Sequence, residues 1–316
     1  MTQVLTQAEI REALHDLDLV SAMERAFVAY STGQAVVPPV GELTFDDPPG
    51  DVHIKYGYLK DDDYYVIKVA SGFYDNPGLG LPSSNGLMLL FDQKTGRARA
   101  ILLDEGLLTD LRTAAAGALT ARTLAPSHVE RIGIVGTGVQ AELQLRQLAS
   151  VHPCRQALVL GRSEESLADY RQRLGDGPFA IDVTLDSEEI VDSCQLIVTT
   201  TPSSEALLSH VHPGTHVTAI GADTREKREL ADELMANADL VVVDSLPQSL
   251  ERGEVYQAVA SGSIDRDSVV ELGKLLIGEE RGRRDDAQVT VADLTGVATQ
   301  DIEISKAVYR RAMNAD

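Results

Sequence analysis

Arg131-Ile-Gly-Ile-Val-Gly136-Thr-Gly138-Val-Gln-Ala141-Glu-Leu-Gln-Leu145 is a short apolar run that enters a glycine turn and leaves it with helical periodicity. The spacing G-x-G-x-x-A predicts a strand, a tight turn and a helix. Gly136 permits the turn, Gly138 lets a pyrophosphate approach the backbone with no Cβ in the way, and Ala141 lets the helix lie close to the strand. The helix N-terminus then presents N–H donors and the positive end of its dipole to an anion. Alone, such a turn is a weak sign, since glycine turns also serve structure only. Its surroundings point to a dinucleotide: A-L-V-L at 157–160, Q-L-I-V-T-T-T at 195–201, H-V-T-A-I-G at 216–221, L-V-V-V-D at 240–244 and V-T-V-A-D at 289–293 follow as apolar runs with helix-length segments between. Runs of this kind are strands buried on both faces, so residues 125–294 read as a Rossmann-type, doubly wound parallel sheet.

The residue ending the second strand bears on which nicotinamide cofactor is bound. An acidic residue there suits a ribose 2′-hydroxyl, whereas arginine beside a small hydroxyl suits a 2′-phosphate. This chain reads Gly161-Arg162-Ser163, which favours NADP(H) with NAD(H) as the alternative, because Glu164 and Glu165 could still turn inward. Val139 and Gln140 on the turn, with Thr200 and Thr201 after the third run, complete the expected cofactor set.

The N-terminal part has a different texture. Thr6 and Glu9 form a capping box ahead of apolar positions Ile10, Leu14, Leu17, Val20, Met23 and Phe27, giving two short helices broken near Asp16-Leu17-Asp18. V-H-I-K-Y-G-Y at 52–58, Y-Y-V-I-K-V-A at 64–70 and G-L-M-L-L-F-D at 86–92 read as antiparallel strands joined through Asp/Gly turns. The alanine-rich run from Leu111 is a helix ended by Pro126. A last helix within 295–316 returns to this α+β domain, making it discontinuous: 1–124 with 295–316.

Composition removes several functions. With 28 basic and 49 acidic residues the net charge is −21, a poor match for nucleic acid or an anionic membrane. Cys154 and Cys194 lack a C-x-x-C partner and read as buried free thiols of a reducing cytoplasm, and no signal or membrane-spanning segment is expected. His152, His210, His212 and His216 are not at metal-ligand spacing, so no metal is expected. The phrase P-S-S-N-G at 82–86 lacks the strand-to-helix elbow of a serine nucleophile, which disfavours a hydrolase.

Three charged residues stand out. Lys68 interrupts an apolar strand, where it must reach water or meet an anion. Arg112 lies early in the alanine-rich helix, and the two together could clamp a carboxylate, although each singly suits an ordinary ion pair. Asp223 follows the strand H-V-T-A-I-G, at the carboxyl end where ligands of open parallel sheets bind. It suits either proton transfer at a substrate nitrogen or a helix N-cap.

Lys68, L-T-D-L-R-T-A-A-A with Arg112, V-G-T-G-V-Q-A, I-G-A-D-T-R-E-K-R-E-L with Asp223 and the tail phrase D-L-T-G-V-A-T-Q-D-I together resemble the ornithine cyclodeaminase/mu-crystallin family over nearly the whole chain. The resemblance implies a dimerising, substrate-binding α+β domain joined to a Rossmann domain, with the active site in the cleft between them. It implies that Lys68 and Arg112 hold the substrate carboxylate, that Asp223 handles the proton on nitrogen, and that Thr113 and the glycine loop hold the cofactor. Hydride exchange between nicotinamide and the α-carbon of an amino or imino acid such as Δ1-pyrroline-2-carboxylate is the expected chemistry. The alternatives within the family are ornithine cyclodeamination with catalytic NAD and a non-catalytic, crystallin-like binding protein. Two departures bear on the substrate. Where relatives often place an arginine this chain reads Pro38-Pro39-Val40-Gly41, and where true ornithine cyclodeaminases carry a glutamate it offers His53-Ile54-Lys55. Lys55 would repel the side-chain ammonium of ornithine, so His53 and Lys55 suit a neutral or acidic side chain.

Overall fold

The computed structural model describes residues 2–73, 75–175 and 177–314. The chain forms two compact units, Met1–Arg112 with Val297–Asp316, and Thr113–Gly296.

In the first unit the capping box is present: Glu9 Oε2 accepts from Thr6 N at 2.8 Å at the start of the helix Gln7–Ala13. Asp18 caps the next helix, Leu19–Ser31, by accepting from Ser21 N at 3.0 Å. The sheet contains β1 (Gln3–Leu5), β2 (Ala35–Val36), β3 (Gly41–Asp46), β4 (Pro49–Leu59), β5 (Tyr64–Phe73), β6 (Ser84–Asp92) and β7 (Ala98–Leu102), in the order β1-β7-β6-β5-β4-β2 with β3 also on β4. The three expected strands are β4, β5 and β6. The others are short or flank Gly/Pro segments and give little periodicity. β1 runs parallel to β7, the exception in an otherwise antiparallel sheet.

Register sets the two faces of this sheet. Lys55 pairs with Lys68, which pairs with Met88, which pairs with Leu102, and all four are buried. The C-terminal helix Ala298–Met313 covers that face, with Ile302, Ile304 and Val308 buried. Buried Lys306 anchors the helix between Glu303 (2.6 Å) and Asp62, and Arg25 Nε reaches Glu303 Oε2 at 3.1 Å. On the opposite face the rows Ile54–Val69–Leu87 and Tyr56–Ile67–Leu89 are apolar and only partly buried or exposed.

The second unit is an eight-stranded sheet of β8 (Ile132–Val135), β9 (Gln156–Leu160), β10 (Ala180–Thr184), β11 (Leu196–Thr199), β12 (His216–Ala219), β13 (Leu240–Val243), β14 (Val269–Glu271) and β15 (Thr290–Asp293). Its order is β10-β9-β8-β11-β12-β15-β13-β14 and every pairing is parallel. β10 and β14 escape the sequence reading because they are edge strands: β10 is half-exposed along its length and β14 has three residues. Apolar clusters cover both faces, one around Ile134, Leu145, Val159 and Tyr170, the other around Val217, Leu234, Val255 and Val291. The alanine-rich helix starts at Leu107, earlier than the run from Leu111 suggests, and ends at Leu124. Among the described residues no helix is long and apolar enough to cross a membrane.

Candidate active site

The glycine turn joins β8 to the helix Val139–Leu148 at the point where strand order reverses between β8 and β11, which is where open α/β sheets bind ligands. Gly136 has φ +115°, and a Cβ there would lie 2.7 Å from Thr200 Oγ1, so the position admits only glycine without rearrangement. Gly138 is the helix N-cap, no side chain caps the helix, and a Cβ on it would meet nothing within 4 Å. The helix thus begins with N–H donors that its N-cap residue does not satisfy, beside open space at the Gly138 Cβ position. The cradle fits a dinucleotide pyrophosphate.

Around the cradle, Thr200 Oγ1 donates to Val135 O at 3.0 Å and Ser163 Oγ accepts from Ser166 N at 3.2 Å as a helix cap. Thr113 O and Gln140 Oε1 both accept from Gln144 Nε2, at 3.1 and 3.4 Å, and Val139 is exposed. Gly161 ends β9 beside the Leu167 side chain, whose Cδ2 would lie 2.7 Å from an added Cβ, so a larger residue there would require Leu167 to shift. Arg162, the next residue, is exposed.

Asp223 lies four residues beyond β12 in a segment that contains no helix. The helix N-cap alternative is thereby corrected: the next helix begins at Asp232 with Ala231 as its cap. Asp223 Oδ1 instead accepts from Lys227 Nζ at 2.6 Å, with its side chain 39% exposed. Fully buried Glu229 ties this segment to the sheet. Its carboxylate accepts from Thr199 Oγ1 (2.7 Å), Gly221 N (2.8 Å), Thr201 N (2.5 Å) and Thr201 Oγ1 (2.9 Å). Burial pushes Glu229 above the usual carboxylate range and these donors pull it back. Glu254, raised to about 8 by burial and by Asp293, accepts in turn from Glu229 N and Leu230 N.

In the first unit Lys68 and Arg112 meet at one residue. Asp301, 1% exposed in the first turn of the helix Ala298–Met313, has Oδ1 and Oδ2 each 3.2 Å from Lys68 Nζ, and Oδ1 lies 3.3 Å from Arg112 Nε. Gln300 Oε1 accepts from Arg112 Nη1 at 3.3 Å. Burial pulls the Lys68 ammonium below its ordinary value, while Asp301 pulls it back up. Buried Asp104, whose carboxyl burial raises, accepts from Leu108 N at 2.8 Å. Lys55 lies directly opposite Lys68, and His53 one inward position further along β4, 3.7 Å from Glu42. Asp301, Gln300 and Asp104 around Lys68 and Arg112 in the first unit, and Glu229 beside the Asp223 segment in the second, are buried polar residues that sequence reasoning did not single out. The usable signal was an acidic or amide side chain within an otherwise buried run, as in T-Q-D-I-E-I.

The sequence profile described as "Ornithine cyclodeaminase/mu-crystallin family" matches residues 1–316. An uncharacterized cyclodeaminase of Sinorhizobium fredii is 41% identical over 316 residues, covering 98% of this chain and 96% of that protein. An archaeal alanine dehydrogenase dimer with bound NAD superposes with a TM-score of 0.91 at 32% identity, covering 99% of this chain and 97% of that one. Thermococcus litoralis Δ1-pyrroline-2-carboxylate reductase, in complex with NADH and L-proline, superposes with a TM-score of 0.93 at 26% identity, covering 99% and 98%.

Proposed function

The chain belongs to the ornithine cyclodeaminase/mu-crystallin family, and from that premise we propose that it is an NAD(P)H-dependent reductase of imino acids, acting on a small substrate with a neutral or acidic side chain. The observation that carries this reading is the sharing of one buried carboxylate, Asp301, by two buried cations, Lys68 and Arg112. The trio has a net charge of +1, which a substrate carboxylate would neutralise. Lys68 and Arg112 hold that carboxylate and so orient the α-carbon, a contribution that is mainly one of positioning. Asp223 manages the proton at the substrate nitrogen. The backbone at Gly136 and Gly138 and the N-terminus of the helix Val139–Leu148 hold the pyrophosphate. When bound, the nicotinamide supplies the hydride that converts C=N to the amine. Thr113 and Thr201 line the same cofactor path.

Arg162, exposed beside Gly161 where the chain offers no ribose-binding carboxylate, supports NADP(H) over NAD(H). Ornithine cyclodeamination is disfavoured by buried Lys55, which pairs in register with Lys68 on the carboxylate-binding face. The apolar outer rows of the first sheet support a homodimer formed through that face. Antiparallel sheets ordinarily turn a polar face to water, and the similar alanine dehydrogenase is a dimer. Light scattering should give twice the chain mass of 34.0 kDa, and a monomer at micromolar concentration would refute this assembly.

The activity is tested by offering NADPH and NADH with Δ1-pyrroline-2-carboxylate, Δ1-piperideine-2-carboxylate and pyruvate plus ammonia. Cofactor oxidation, faster with NADPH, is the expected result. Formation of proline and ammonia from ornithine with catalytic NAD, without cofactor oxidation on the imino acids, would replace this reading with cyclodeamination. Tight cofactor binding with no turnover of any substrate would replace it with a binding protein.

A further inference from the structure

Asp301 is buried and ion-paired with both cations, yet it accepts only one hydrogen bond from them, from Lys68 Nζ to Oδ1. Charge-assisted N–H···O bonds close to about 2.7–2.9 Å, whereas Asp301 stands 3.2 Å from Lys68 Nζ and 3.3 Å from Arg112 Nε. Asp301 Oδ2 and Arg112 Nε both fall outside hydrogen-bonding geometry although both are buried. Polar groups left this way inside a protein are costly unless something completes them.

We propose that Asp301 is the internal counter-ion of the Lys68–Arg112 pair, a positioning residue that holds both cations oriented for the carboxylate of an amino or imino acid. The inference rests on the reading of that pair as carboxylate-binding. Two cations on one buried face, with Lys55 opposite one of them, repel each other and each loses hydration. A single fixed anion between them relieves the repulsion without saturating their donors, since lysine has three N–H groups and arginine five. The anion sits in the first turn of its helix, where the positive end of the helix dipole favours a negative group. Its helix is anchored further along by Lys306, which pairs with Glu303 of the same helix and with Asp62 from the loop between β4 and β5. An incoming carboxylate completes the cations' coordination and need not displace Asp301.

The charged groups facing Lys68 are Lys55 from β4, Arg112 from the helix Leu107–Leu124, Asp104 from the segment before that helix, and Asp301 from the C-terminal helix. Burial and Arg112 lower the Lys68 pKa while Asp301 and Asp104 raise it. Removing Asp301 leaves the lowering influences less opposed, so Lys68 loses its proton at a lower pH and carboxylate binding fades earlier as pH rises.

The test is the affinity of L-proline and L-alanine for protein preloaded with NADP⁺ or NAD⁺, measured by titration calorimetry from pH 6.5 to 10 in wild type and Asp301→Asn. The variant should bind the carboxylates at least about tenfold more weakly at pH 8.5, with the alkaline loss of binding displaced by about one pH unit or more to lower pH. Cofactor affinity should stay within about twofold, which a general loss of structure would not allow. Wild-type binding matched by the variant, with the same alkaline limb, overturns the inference alone. A wild type that binds neither amino acid overturns the functional reading and this inference with it. Should Asp301→Asn fail to fold, the ¹⁵Nζ resonance of Lys68 in the wild type, identified by its loss in Lys68→Met, decides: an ammonium that stays charged at every pH where the wild type binds L-proline supports the inference, and a neutral amine at a pH where L-proline still binds overturns it.

Discussion

Asp223→Asn should fold normally, bind its nicotinamide cofactor within about twofold of wild type, and turn over about 10²–10⁴-fold more slowly, the range that a positioned proton-transfer group contributes. Asparagine has the same shape and can still accept the 2.6 Å hydrogen bond from Lys227 Nζ, so the segment after β12 keeps its local contact. What is lost is the ability to take or return a proton. The Asp223–Lys227 pair is partly exposed, at 39% and 21% of the side chains, so its removal costs the fold at most about 1 kcal/mol. The glycine cradle depends on Gly136, Gly138 and the helix after them, none of which the substitution alters. Stopped-flow hydride transfer with the best imino acid, beside a fluorescence titration of the cofactor, separates the two effects. Undiminished turnover would remove Asp223 from the mechanism.

Gly221→Ala should have the second large effect, through the backbone. Gly221 follows β12 where the end of that strand touches the end of β11. An added Cβ would overlap Thr201 O and lie 2.5 Å from Thr201 N and 2.8 Å from Glu229 Cδ. Two of those three are backbone atoms, so no side-chain rotation relieves the clash. The ends of β11 and β12 must separate, breaking bonds among the four that Glu229 accepts from Thr199, Thr201 and Gly221. Overpacking of this kind costs about 1–3 kcal/mol, and the melting temperature should fall by about 2–4 °C per kcal/mol. Activity should fall further than stability. Thr201 and the Asp223 segment both hang from Glu229, and a displacement of about 1 Å at a reacting group can cost about 10²-fold. Calorimetric melting and kcat on the purified variant are the measurements. A variant that melts and turns over like wild type would show that the β11–β12 junction is looser than these contacts require.

Much of the candidate site was legible because its parts are local. The cradle is a ten-residue phrase, and Gly161 announced itself as a glycine where a ribose-binding acid is usual. Lys68 stood out as a charge inside an apolar strand. Asp223 was only half legible: its position after an apolar strand suggested both a proton carrier and a helix cap, and what excluded the cap was the absence of a helix before Asp232. Asp301 was hidden. Its partner Lys68 lies 233 positions away, and between Gln300 and Ile302 it looks like an ordinary polar residue of an amphipathic helix. Glu229 was equally hidden, because its four donors come from the ends of two different strands.

By itself, then, the order of residues determined the parallel, doubly wound unit, the phosphate-holding turn and the kinds of charged group available. Each follows from periodicity and turn chemistry within a few residues, where the chain interacts chiefly with itself. Tertiary structure alone decided that Lys55 faces Lys68, that Lys68 and Arg112 share Asp301, and that Glu229 moors the Asp223 segment. Those outcomes depend on strand register and on where a distant helix docks. A one-residue slip in register would turn Lys55 and Lys68 to the opposite face of the sheet and dissolve the cluster.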